Sequence, residues 1–184
     1  MLKPAYLHKT ELEKIYAENI YKDKYKFYTL SQYLNFNLEI KDNFWDCMEY
    51  CSIDKDSNTI LGFMRAYRDR RSDKIREISI LNFIPEENEI DFITDQKKLV
   101  LNRHHRIFGI DLLSFLKILY DDKSIQKIEW SVVIRDFEFN KTENLHDSIC
   151  EKYGGRIIGI SHNDVKLRDN KYYDRKFYEI LLDR

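Results

Sequence analysis

The sequence predicts an α/β fold of the α+β kind: a mixed, mostly antiparallel central sheet with flanking helices. Three observations carry this. Apolar, aromatic-rich runs of strand length recur along the chain. Amphipathic helices with legible ends interrupt them. From Lys127 to Arg184 the chain then reads as strand, capped helix, glycine stop, strand and long final strand without a break. A chain of 184 residues buries one substantial core, and two independent domains would be a squeeze. Residues 1–184 are therefore expected to form a single domain.

The elements follow in order. Ala5–His8 reads as a short opening strand. Thr10-Glu-Leu-Glu13 is a capping box, after which Leu12, Ile15, Tyr16, Asn19 and Ile20 share a helical face. Thr29-Leu-Ser-Gln32 is a second box, opening a helix to about Leu38. Trp45–Ile53 and Thr59–Tyr67 flank the turn-formers Asp54–Asn58, which predicts an antiparallel hairpin. Gly62 inside its second strand marks a bulge or a close backbone approach. Lys74–Phe83 is the next strand, with Ile75, Glu77, Ser79 and Leu81 on one face. Pro85–Gln96 fits no regular element, although Ile90–Thr94 could add a short strand.

Phe108–Asp122 gives the clearest helical pattern. Phe108, Leu112, Phe115, Leu116 and Leu119 form its apolar stripe, and Asp111, Ser114, Lys117 and Asp121 its wet face. Asn102-Arg-His-His-Arg106 precedes it, so cationic side chains are expected beside the positive end of a helix dipole. Asn140-Lys-Thr-Glu143 caps the next helix, on which Leu145, Ile149 and Tyr153 share a face, and Gly154 is placed to end it. A hairpin is expected to turn at Asp169-Asn170 into Tyr172–Leu181.

Composition excludes several functions. Charged residues make up 34% of the chain and balance to a net −1, so the basic footprint of a nucleic-acid binder is missing. No apolar run approaches the ~20 residues that cross a bilayer, and the first residues lack the apolar core of a signal peptide. Cys47, Cys51 and Cys150 show no disulfide spacing and suit a reducing, cytoplasmic setting. No metal is called for, since the adjacent His104 and His105 rarely both reach one ion.

The order of elements resembles the GNAT superfamily of acyl-CoA-dependent N-acyltransferases. The likeness is most detailed from Ile107 to Leu181. Arg106-Ile-Phe-Gly109 stands where that family has its pyrophosphate loop. Asn140 with Glu143 and His146-Asp147 resembles the helix-opening segment whose Asn contacts pantetheine. Lys152–Gly159, Tyr173-Asp174 and Tyr178-Glu-Ile180 resemble the terminal strands.

The resemblance implies a V-shaped splay between central strands and an acyl-CoA co-substrate, most simply acetyl-CoA. The acceptor would be an amine of unknown identity, small molecule or protein. It implies Arg103, Arg106 and Gly109 as diphosphate contacts, with Asn140, Leu81 and Phe83 along the pantetheine arm. His146 stands where a tyrosine acid often stands and would assist thiolate departure. Glu77, with Glu89 and Asp91 as competitors, would be the base for the amine.

Three departures from the pattern stand out: Asp111 beside the expected phosphates, Lys141 after Asn140 and His146 in place of a tyrosine. Of these, Asp111 and His146 support a second reading. In it the chain is a catalytically degenerate member acting as a binding or regulatory module. Solvated loop charge is the plainer account of Arg103 and Arg106, and a helix histidine without a task that of His146. The aromatic cluster Tyr16, Tyr21, Tyr25, Phe27, Tyr28, Tyr33 and Phe36 could line an acceptor pocket, pack a core or serve a homodimer.

Overall fold

A computed structural model of the chain describes residues 1–19, 45–85, 94–134, 140–167 and 169–182. The expected helix from Thr29, most of the aromatic cluster, Glu89, Asp91 and the Asn140 side chain lie outside the described residues.

The elements run β1 (Leu2–Pro4), a 3-10 turn (Ala5–His8), α1 (Lys9–Asn19), β2 (Trp45–Asp54), β3 (Thr59–Asp69) and β4 (Lys74–Asn82). They continue with α2 (Asp95–Asp121), β5 (Lys127–Ile134), α3 (Asn140–Lys152), β6 (Arg156–Lys166) and β7 (Tyr172–Leu181). The strands form one seven-stranded sheet in the order β1-β2-β3-β4-β5-β7-β6. β1 lies antiparallel to β2, and β7 lies antiparallel to both β5 and β6. The links 55–58 and 70–73 are short enough that β2, β3 and β4 follow one another as hairpins.

Parallel pairing occurs between β4 and β5, registered at Lys74↔Lys127 and Ile75↔Ile128. On its other edge β5 pairs with β7 along its whole length, from Lys127↔Leu181 to Ile134↔Asp174. β5 is thus closed on the β7 side, and on the β4 side it is paired only at its first residues.

The chain gathers into two compact units. The first comprises Met1–Glu18, Met48–Arg65 and Ser79–Asp121; the second includes 45–47, 66–78 and 122–182. In the first unit α2 lays Leu101, Phe108, Leu112, Phe115, Leu116 and Leu119 into the core, a stripe at helical spacing. Gly62 is required there by a close approach. A Cβ would run into the Phe108 ring and lie 2.5 Å from the Leu81 carbonyl oxygen.

In the second unit α3 ends in a Schellman motif. Gly154 takes φ +66°, its amide donates to Glu151 O at 3.0 Å, and the Gly155 amide donates to Cys150 O at 2.8 Å. The hairpin after β6 turns on Asn170 at φ 65°, with Asp169 Oδ1 accepting from the Lys171 amide at 3.0 Å. Its position is the one expected from sequence.

Five expectations are corrected. The opening strand is Leu2–Pro4, and Ala5–His8 coils into a 3-10 turn that runs straight into α1. Pro4 has no amide to extend the ladder, which favours a turn after it. Because α1 starts at Lys9, Thr10 lies inside the helix rather than at its cap.

The central helix starts at Asp95, thirteen residues before Phe108. The Thr94 hydroxyl accepts from the Lys97 amide at 3.3 Å, and neither glycine nor proline interrupts the run to Phe108. Asp111 belongs to the buried stripe and not the wet face. On α3 Leu145 is exposed, while Ile149 and Cys150 are buried.

None of the three cysteines is in a disulfide. Among the described residues no helix is long and apolar enough to cross a membrane, and no His, Cys, Asp and Glu cluster could hold a metal ion.

Candidate active site

In the second unit, β5, α3 and β7 bring together the densest polar cluster around a sequence-predicted residue. β5 carries Trp130 inward, α3 presents Glu143, His146, Asp147 and Cys150 on successive turns, and β7 presents Lys176 and Tyr178. Trp130 and Tyr178 are register partners on adjacent strands, and their rings stack 5.0 Å apart at 9°. Both are buried.

His146 rests against this aromatic pair. Its ring lies 6.2 Å from that of Tyr178, and its Nδ1 accepts a hydrogen bond from Trp130 Nε1 at 3.0 Å. Burial disfavours the imidazolium and pushes the His146 pKa down to about 4, against a smaller opposing pull from the Asp147 charge. The residue is therefore neutral at physiological pH.

Lys176 joins the cluster from below the rings. Its Nζ donates to Glu143 Oε1 at 2.9 Å and to Asp147 Oδ2 at 3.0 Å, and lies 5.6 Å from the centre of the Tyr178 ring. Burial works against its charge, but the hydrogen bonds to Asp147 and Glu143 prevail and raise its pKa. The Tyr178 hydroxyl donates to Asp147 Oδ1 at 2.8 Å. Burial, then that hydrogen bond, raise its pKa far above the usual phenol range. Asp147 itself is held below the carboxylate norm: burial raises it, and the bonds from Lys176 and Tyr178 more than compensate.

The arrangement can therefore present a neutral imidazole as hydrogen-bond donor, on a scaffold whose phenol does not ionise. Burial also raises the Cys150 thiol, which makes it a poor nucleophile. Glu77 lies on β4 in the same unit, half-buried. Trp130, Lys176 and the Tyr178–Asp147 bond were not singled out in the sequence. A weak signal was present: alternating Lys176 and Tyr178 point to one face of a strand, and Glu143 and Asp147 to one face of a helix.

Asn140 opens α3 in the second unit, and the first unit holds Arg103, Arg106, Gly109, Leu81 and Phe83. Arg103, Arg106 and Gly109 lie inside α2, where backbone amides are taken by the helix itself, and no helix opening presents amides to an anion. Arg103 instead pairs with Asp54, and with Asp56 at 3.1 Å; His104 Nε2 lies 3.2 Å from the same Asp54 Oδ2. Burial pulls Asp54 upward, but hydrogen bonds from Arg103, the Asp56 amide and Ser57 outweigh it and hold the carboxyl down at about 2.

Arg106 is exposed, and at Gly109 a Cβ would meet nothing within 4 Å. Leu81 and Phe83 are buried, and the Phe83 amide already donates to Leu61 O at 2.9 Å. Asp111, expected near phosphates, is buried instead; its Oδ2 accepts from Ser52 Oγ at 2.6 Å and from the Met1 nitrogen at 2.7 Å. It packs the first unit and puts no charge on the helix flank.

No protein-family model matches the sequence, and no curated protein does. Solved structures do match. A spermidine N-acetyltransferase from Vibrio cholerae, in complex with CoA and spermine, aligns over 99% of this chain and 95% of its own, with a TM-score of 0.60 at 16% identity. A chimera of the Vibrio cholerae enzyme and hSSAT aligns over 99% and 96%, again at 0.60 and 16%. A GCN5-related N-acetyltransferase from Brucella melitensis aligns over 98% of this chain and 74% of its own, at 0.57 and 17%. The fold is that of the GCN5-related N-acetyltransferases. Within this GCN5-related fold, the parallel β4–β5 pairing and the α3–β7 cluster both lie in the second unit.

Proposed function

We propose that the protein is an N-acetyltransferase that moves an acetyl group from acetyl-CoA to a primary amine. The observation that carries this reading is the alignment of nearly the whole chain with a fold whose Vibrio cholerae representative is in complex with CoA and spermine. The second-unit cluster supports it chemically. Attack of the amine nitrogen on the thioester carbonyl forms the C–N bond and a tetrahedral oxyanion. Collapse then breaks the C–S bond and leaves its electron pair on sulfur. Glu77 is proposed to take the amine proton, which passes to the departing thiolate or to water. His146 is proposed to donate a hydrogen bond where negative charge gathers as sulfur leaves.

Cofactor contacts are proposed in the first unit. Arg103, Arg106 and Gly109 follow at i, i+3 and i+6 and so share one flank of α2. Side chains there would meet the diphosphate, with the missing Cβ of Gly109 leaving room beside them. Leu81 and Phe83 are proposed along the pantetheine. A cytoplasmic setting supplies the co-substrate. Spermidine and spermine are the acceptors to try first.

A second reading, a binding module that has lost cofactor binding, is favoured by one observation: Arg103 is already paired with Asp54. Thermal melting separates the two. Acetyl-CoA at a hundredfold excess over its dissociation constant should stabilise the enzyme by about 2.7 kcal/mol, and Arg106→Gln should reduce that shift. No shift at millimolar acetyl-CoA favours the module.

A further inference from the structure

We infer that Trp130 is a positioning residue: its indole N–H holds His146 in the Nε2–H tautomer, so that His146 acts as a hydrogen-bond donor that keeps its proton throughout the reaction. The inference rests on the acetyl-transfer reading for its role in catalysis, and on geometry alone for the tautomer.

An indole nitrogen can only donate. Trp130 Nε1 lies 3.0 Å from His146 Nδ1, so Nδ1 must offer its lone pair and the ring proton must sit on Nε2. A second proton would have to go onto Nδ1 and would displace the indole donor. The Trp130 contact therefore opposes protonation independently of burial.

Among the described residues, three elements bring groups to the cluster around the ring. β5 contributes Trp130. α3 contributes Asp147, Glu143 and the buried Cys150. β7 contributes the Tyr178 ring and Lys176. Asp147 is the anion that would otherwise favour an imidazolium. Its oxygens already accept from Lys176 and from Tyr178, at 3.0 and 2.8 Å. The wiring around the ring thus draws the acid away from the imidazole. During transfer the C–S bond breaks, sulfur takes the electron pair, the proton lost by the amine neutralises the thiolate, and His146 Nε2–H only shares its hydrogen.

The test combines a spectroscopic and a kinetic readout on the full chain. Long-range 1H–15N spectra of the labelled protein should place the His146 proton on Nε2 and show no titration between pH 8 and pH 5. Trp130→Phe keeps an aromatic ring against Tyr178 but removes the donor. His146 should then titrate closer to its ordinary value near 6.5. With acetyl-CoA and spermidine, kcat should fall about tenfold while the KM for acetyl-CoA stays within about twofold, because a mispositioned donor acts on the transition state. His146→Gln, which carries an N–H where Nε2 stood, should retain about tenfold more kcat than His146→Leu.

A proton on Nδ1, or titration near 6.5 in the unaltered protein, overturns the inference, and both readouts survive if Trp130→Phe fails to fold. Equal kcat for the Gln and Leu variants overturns the donor role. Absence of turnover in every form, with the Nε2–H tautomer present, overturns the acetyl-transfer reading and the donor role with it, while the tautomer stands.

Discussion

Lys176 in the second unit and Arg103 in the first are each held by two carboxylates, and they are held differently. The Lys176 side chain is 9% exposed and its partners sit at successive turns of one helix. The Arg103 side chain is 40% exposed, and of its two partners Asp54 is buried while Asp56 is 78% exposed. Two similar charge triads thus differ in solvent. In the Lys176 triad the cation is buried and its carboxylates are 23% and 38% exposed, whereas in the Arg103 triad the cation is exposed and one carboxylate, Asp54, is buried. That difference is why positioning is proposed for the second unit and ligand-responsive charge for the first.

The largest effect should come from removing the buried cation of the Lys176 triad. Lys176→Ala leaves Glu143 and Asp147 without their buried cation and should cost about 2 kcal/mol in urea unfolding, less than a fully buried pair because these carboxylates are 23% and 38% exposed. Arg103→Ala should cost about 1 kcal/mol, because Asp54 keeps the Ser57 hydroxyl and the Asp56 amide. Equal losses would erase the contrast between the two triads.

Proton linkage at His146 ranks next. Its native pKa of about 4 lies below the unfolded value of about 6.5, so in that window the unfolded chain binds the extra proton. Stability contributed by the neutral ring is fully present above pH 6.5 and is lost as pH falls toward 4. Unfolding curves at pH 7 and pH 5 should differ more for the unaltered protein than for His146→Gln. A pH response shared by both would assign the loss to the carboxylates instead.

The smallest effects compare two glycines. Gly154→Ala forces a side chain into φ +66° and should destabilise by about 1 kcal/mol. Gly109→Ala, inside a helix with nothing within 4 Å, should stabilise by about 0.5–1 kcal/mol. It should also weaken acetyl-CoA binding if the open flank of α2 is used by the cofactor. Stabilisation with unchanged binding would remove Gly109 from the proposed site.

The same contrast separates what could be read from sequence. The second unit was legible because its signals are local. Lys127–Ile134 alternates as a strand, Gly154-Gly155 stops a helix, and Asp169-Asn170 turns a hairpin, and each stands where expected. The start of α2 was not legible, because a charged run such as Lys97–Arg106 reads alike as helix or loop until Leu101 and His104 find neighbours in the fold.

Asp111 was misread for a related reason. A carboxylate at a surface-like position looks solvated, and only Ser52 and the Met1 nitrogen, brought in from the sheet, explain its burial. Trp130's role required a partner sixteen residues away on another element, which no local spacing announces.

The most direct measurement is a combined assay of the purified chain with acetyl-CoA and spermidine, following thiol release and the mass of the amine. The account predicts one free thiol for each acetyl group gained by the acceptor, with turnover lost in His146→Leu and retained in part by His146→Gln. Thiol release that matches the solvent blank, with no acetylated amine across a panel of polyamines and no melting shift from acetyl-CoA, would contradict it.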